Sequence, residues 1–126
     1  MNQIERIAEL PDWNWSEHSA KEITLSGEGL VKQTDLVWQI SDFAVCGLIY
    51  PGFLSHPWLW FLIKDKVGFK DVRLLAELKS RIPLGTLTYI EDGFKLGFRF
   101  AQFAGFVQTA ESVFFENNSY IKFRRK

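Results

Sequence analysis

The stretch Lys66-Val67-Gly68-Phe69-Lys70 comes nearest to a chemical task in this 126-residue sequence. Two ammonium groups on either side of a glycine attract an anion. The only thiol, Cys46, lies in the apolar run FAVCGLIY, where burial keeps a cysteine inert, and a lone cysteine forms no internal disulfide. No C-x-x-C or H-x-x-H spacing occurs, so no metal centre is expected. Trp13 and Trp15 fall in the polar segment DWNWSEHSAKE. They either pack under neighbouring chain or anchor a protein partner, because tryptophan is frequent among the residues that dominate interfaces. At the other end, Ile121 and Phe123 alternate with Lys122 and Arg124, as in an edge strand whose charges discourage further pairing.

The composition sets the frame for these residues. At 47% hydrophobic and 16% aromatic, with twelve Phe and five Trp, the chain is built for a compact core, and its length suits one domain over residues 1–126. Fifteen basic residues offset fifteen acidic ones. A net charge of zero gives no attraction to nucleic acid, so none is expected as a partner. No apolar run approaches the length of a membrane span, and the amino terminus lacks a signal-peptide core. A soluble cytoplasmic protein is expected.

Periodicity places the elements. Ile4, Ile7, Ala8 and Leu10 recur at helical spacing and predict a helix over residues 2–10, stopped by Pro11. From Ile23 the pattern reads as extended, with a bend at residues 27–29 and a strand in which Leu36, Trp38 and Ile40 alternate with Val37 and Gln39. The apolar runs 43–50 and 58–63 predict strands covered on both faces. Residues 71–81 place Val72, Leu75 and Leu78 on one face of an amphipathic helix. Residues 86–90 are β-branched and aromatic, hence a strand. A nearly apolar helix follows, with Asp92 as its expected cap, Lys95, Arg99 and Gln102 as its narrow polar stripe, and Gly105 as its left-handed end. Such a helix is expected to be buried on nearly all sides. Residues 107–125 read as two strands of a hairpin. The result is an α/β (α+β) domain with a mixed, mostly antiparallel sheet flanked by helices.

This order resembles the GNAT-type N-acetyltransferase fold over roughly residues 23–125. The closest local match is the last helix, which in that family has the form N-x-x-A-x-R-F-Y-x-x-x-G-F. Aligned on Gly105-Phe106, Arg99 and Phe100 match the Arg-Phe pair. Phe94 stands for the Asn, Gly97 for the Ala and Ala101 for the Tyr. The resemblance implies a pyrophosphate cradle, Q/R-x-x-G-x-G/A, at residues 65–70. There Gly68 matches the first glycine, Asp65 replaces the Gln or Arg, and Lys70 replaces the second glycine. Lys66, Gly68 and Lys70 are thus the cofactor-binding candidates if acyl-CoA binds. Ala101 leaves the family's acid position without a proton, which makes Tyr89 the candidate substitute. Glu91, Asp92, His18 and His56 are the candidate bases.

A weakened cradle and a missing acid set two readings side by side. The preferred one resembles the small, degenerate GNAT-like proteins of phage heads and virions. It implies no cofactor and no enzymatic activity. The partners are then other proteins, virion components or a second copy, met through Trp13 and Trp15, in the host cytoplasm and in the virion. The alternative is an active acetyl-CoA-dependent N-acetyltransferase acting on a small-molecule or protein amine.

Overall fold

The computed structural model describes residues 4–26, 29–52, 55–65, 72–115 and 117–126. Seven strands form one mixed sheet: β1 (Ile4–Arg6), β2 (Leu36–Ile40), β3 (Ala44–Ile49), β4 (Trp58–Ile63), β5 (Leu87–Glu91), β6 (Phe106–Phe115) and β7 (Asn118–Arg125). Among the described residues four helices accompany it: α1 (Glu17–Ser26), α2 (Gly29–Lys32), α3 (Val72–Arg81) and α4 (Lys95–Phe103). The strand order is β1-β2-β3-β4-β5-β7-β6, with every neighbouring pair antiparallel except β4 and β5. Among the described residues no helix is long and apolar enough to cross a membrane.

The central strands follow from their apolar runs. In β3 and β4 nearly every residue is buried, because both faces of the sheet are covered. On one face Leu59, Phe61, Ile63 and Cys46 pack against Leu74, Leu75 and Leu78 of α3 and Phe100 and Ala101 of α4. On the other face Val37, Val45, Trp60 and Leu62 pack against Ile23 of α1, Leu30 and Val31 of α2, and Ile7, Leu10, Trp13 and Trp15. Trp60 fixes that face further, its indole N–H donating to Thr34 Oγ1 at 2.9 Å.

The amino-terminal half departs from its periodicity. Residues 4–6 are a strand, not part of a helix, pairing with β2 from Ile4 opposite Ile40 to Arg6 opposite Trp38. Ile4 enters the core on the α3/α4 face while Ile7 and Leu10 reach the opposite face. A segment serving both faces of a sheet has to be extended, and an open sheet edge offered the hydrogen bonds. The helix lies instead at α1, so Ile23 is helical and β2 begins only at Leu36. Ser16 marks its start: Ser19 N–H donates to Ser16 Oγ at 3.4 Å and Ala20 N–H to Ser16 O at 2.8 Å. Of the bend expected at residues 27–29, residues 27 and 28 lie outside the described residues, and Gly29 opens α2.

In α4 the expected ends are half right. Gly105, at φ +91°, closes the helix, and its N–H donates to Gln102 O at 3.1 Å. Asp92 does not cap it. The capping position is Phe94, which makes no side-chain cap bond, and Asp92 sits two residues too early. Burial is also less complete than expected: Phe103 is exposed, and Leu96 and Phe98 are half-buried. Among the described residues the helix packs on the sheet and α3, and Lys95, Arg99, Gln102 and Phe103 form an exposed outward stripe. Gly97 lies on the covered side. A Cβ there would meet Phe94 Cδ2 at 2.5 Å and Ile90 Cγ2 at 3.1 Å, so this glycine lets α4 approach β5 closely.

Candidate functional site

The sheet is continuous on one side of β4 and open on the other. β3 and β4 pair along six residues, from Ala44 opposite Ile63 to Ile49 opposite Trp58. β4 and β5 run parallel and meet at Trp58 and Leu87, where Leu87 N–H donates to Pro57 O at 2.9 Å. No further pairing between β4 and β5 occurs among the described residues. β5 instead spends its other edge on β7, from Leu87 opposite Arg124 to Glu91 opposite Tyr120. The two parallel strands therefore part, and a cavity of about 160 Å³ opens between Leu59 and Phe61 of β4 and Thr88, Ile90 and Glu91 of β5.

α1 is aimed across this opening by its anchorage to the end of β4. Trp15 bridges Lys64, Asp65 N–H donates to Asn14 O at 2.7 Å, and Ser16 N–H donates to Ile63 O at 2.9 Å. Buried Ser19 then accepts from Ile63 N–H through its hydroxyl at 2.8 Å. With the helix start tied there, His18 and Glu22, four residues apart on one face, line the cavity. The gap also lets the two faces of the sheet touch. His18 of α1 stacks on Phe94 at the head of α4, ring centroids 4.5 Å apart.

The polar groups of the site divide into tied and untied. Lys21 Nζ donates to both carboxylate oxygens of Glu91 at 3.1 Å and to Asn118 Oδ1 at 2.9 Å, clamping α1 to β5 and β7. His18 Nδ1 lies 3.1 Å from the same Glu91 Oε1. Glu91, expected as a candidate base, thus lines the cavity with its oxygens already engaged. Glu22 differs. Its carboxyl is pushed up from the ordinary 4.5 to about 7, chiefly because burial disfavours its charge and secondarily because Glu91 is negative. Tyr120 also lines the cavity, and its hydroxyl holds its proton more firmly than usual through burial and the charges of Glu91 and Glu22. Tyr89 stands at the mouth against Trp58, ring centroids 5.1 Å apart.

The remaining candidates lie elsewhere. His56 and Asp92 are exposed and line no part of the cavity. Trp13 and Trp15, 5.4 Å apart, are half-buried on their own sheet face. Cys46 is fully buried, and burial pushes its thiol far up. Lys66, Gly68 and Lys70 lie outside the described residues. Asp65, just before them, is exposed. Ala101 is buried in the α3/α4 core. Glu22 and Tyr120 were not singled out by the sequence. The one available signal was Ser16 as a helix start, which would have put His18 and Glu22 on one face.

Comparison with solved structures places this arrangement. A protein from Bordetella pertussis assigned as a GnaT-family acetyltransferase superposes with a TM-score of 0.50 at 17% identity, over 72% of this chain and 64% of that one. A protein assigned as a phosphinothricin N-acetyltransferase superposes with a TM-score of 0.52 at 11% identity, over 84% of this chain and 79% of that one. The fold is GNAT-like. At these identities the likeness concerns the fold alone, and the chain spans less than two thirds of the Bordetella protein's length. No protein-family model matches the sequence, and no curated protein is significantly similar to it.

Proposed function

We propose that this GNAT-like protein is an acyl-CoA-dependent N-acyltransferase in which Glu22 is the general base. One observation carries the reading: β4 and β5 part beyond Trp58 and Leu87, and α1 projects a carboxyl of raised pKa into the opening. A carboxyl near 7 is half ionised at neutral pH. It can therefore accept a proton from an amine yet is a stronger base than an ordinary glutamate.

The cavity suits an acyl thioester. Its walls, Leu59, Phe61 and Ile90, are apolar, and the unpaired edges of β4 and β5 offer backbone groups that would hold an amide-bearing arm. Bound there, an acyl thioester supplies the electrophilic carbonyl. Glu22 draws the proton from the attacking amine as nitrogen acquires positive charge. Tyr120, whose hydroxyl holds its proton more firmly than usual, would give a proton to the departing sulfur, with Tyr89 as the other tyrosine lining the cavity. Lys21 and His18 hold Glu91, and Glu91 in turn keeps Glu22 basic. The weak anion site at Lys66, Gly68 and Lys70 would take the phosphates.

The test is a calorimetric titration with acetyl-CoA of wild type and Glu22→Gln, followed by transfer assays over a panel of amines. Binding by both proteins, with transfer lost by roughly 100-fold or more in Glu22→Gln, is the expected result. Absence of acetyl-CoA binding at millimolar ligand would overturn the reading.

A second reading, a surface for protein partners, draws on one observation. Phe114 near the β6–β7 turn is 80% exposed and Phe115 beside it is 57% exposed, which is uncommon for a free surface. In that reading the cleft is degenerate and the fold serves contact, as a virion component or a phage-accessory protein. It predicts that Phe114→Ser disrupts an assembly that Glu22→Gln leaves intact.

A further inference from the structure

The opening between β4 and β5 does not end at its mouth. A second groove of about 390 Å³ adjoins it, and Glu22, Trp58, Tyr89 and Tyr120 line both. The rest of the second groove is mainly apolar: Leu25 of α1, with Ser26 beside it, on one side, and Val113 and Phe115 of β6 on the other. Leu25, Trp58, Val113 and Phe115 are 46, 43, 44 and 57% exposed. Four of the nine large hydrophobic side chains exposed among the described residues therefore converge on this one groove, from three separate elements. Scattered exposed hydrophobics need no explanation, but a concave cluster with a carboxylate at its inner end does.

Charge narrows the choice of occupant. Among the described residues that line the groove, Glu22 is the one carboxyl group. Glu91, further in, is ion-paired with Lys21. One anionic point at the end of an apolar trough complements one cationic nitrogen on an apolar body. A second ammonium would find no second carboxylate among the described lining residues, and a carboxylate next to the amine would be repelled by Glu22. The tilted Trp58–Tyr89 pair favours a flat body, since aromatic rings stack on one another at that wall. A groove of this size is at the lower end of the range for small-molecule sites, roughly 300–1,000 Å³.

We infer that the acceptor is a small apolar monoamine with a flat, aromatic body, seated between Leu25 and Phe115 with its nitrogen at Glu22. The inference rests on the transferase reading of the cleft and specifies its acceptor.

Binding and transfer are measured separately, so that the two ideas fail separately. Binding of 2-phenylethylamine is followed by tryptophan fluorescence, with Trp58→Phe assigning the signal, and is compared with spermidine and lysine. Phenylethylamine is expected to bind at least tenfold more tightly than either. Leu25→Arg, which puts a cation beside the amine, and the double change Val113→Ser with Phe115→Ser should each weaken it by about tenfold or more. These side chains are exposed, so their replacement leaves the core intact. Binding that persists without any acetyl transfer supports the groove and sinks the transferase reading. Transfer to spermidine or lysine in preference to phenylethylamine keeps the transferase reading and overturns the inference. Transfer only to peptides with an apolar amino-terminal residue also overturns it, in favour of a protein acceptor.

Discussion

α1 and α4 reach the same opening from opposite faces of the sheet and do different work there. α4 is the conspicuous one in the sequence, a run of phenylalanines with an Arg-Phe and Gly-Phe pattern. In the structure it is a packing element: Gly97, Phe100 and Ala101 are buried on the sheet, and only Phe94 at its head touches the cavity. α1 is polar and weakly patterned, yet it carries His18, Lys21 and Glu22 to the site. The difference follows from solvent access. A helix covered by sheet and neighbouring helix has to be apolar, whereas a helix lying across an opening can keep charges that water and partners still reach.

On the proposed transferase reading, that contrast predicts activity effects from α1 and stability effects from α4. The largest is Glu22→Gln, which should lower transfer by roughly 100-fold or more. The same residue sets the pH profile. Transfer needs the ionised carboxylate, so kcat/KM should rise with pH through about 7 and level off above it. Its folded-state pKa is raised, so the native state holds the proton more tightly than the unfolded chain between 4.5 and about 7. Wild type should therefore lose stability as pH rises through that window. Glu22→Gln, lacking this titration, should be more stable than wild type at pH 8 by about 1–3 kcal/mol in urea unfolding, with the advantage fading near pH 4.

The effects on α4 come next in size. Gly97→Ala forces a methyl into Phe94 and Ile90 and should cost about 1–3 kcal/mol, read as a lower Tm. An unchanged Tm would mean that α4 does not press on β5 as described. Lys21→Met is subtler. It leaves Glu91 uncompensated beside Glu22, so the midpoint of the pH–rate profile should move up by about one unit, while a purely structural role for Lys21 would move only Tm. The smallest effect is expected at Arg99, on the exposed stripe of α4. Arg99→Ala should stay within about 0.5 kcal/mol of wild type, despite its match to the family pattern.

Local pattern carried the elements whose environment is uniform along their length. β3 and β4 are apolar throughout because both faces are covered, and α3 shows a clean stripe because only one of its sides is. Residues 4–10 and α1 were misread because their surroundings are mixed. Ile4 and Ile7 serve opposite faces of the sheet and so mimic helical spacing, while α1 faces apolar sheet at Ile23 and the open cleft at Glu22. Periodicity describes one interface at a time, and these segments have two.

The amino-acid sequence by itself determined the sheet-and-helix composition, the central strands and the buried Cys46. Tertiary structure alone decided where β4 and β5 stop pairing, and which polar groups meet in the space they leave. Glu22 and Tyr120 are 98 positions apart in the chain. Neither has an unusual neighbour in sequence. Their pKa values are set by burial and by Glu91, conditions that exist only once α1 is anchored through Ser19 to the end of β4 and clamped through Lys21 to β5 and β7.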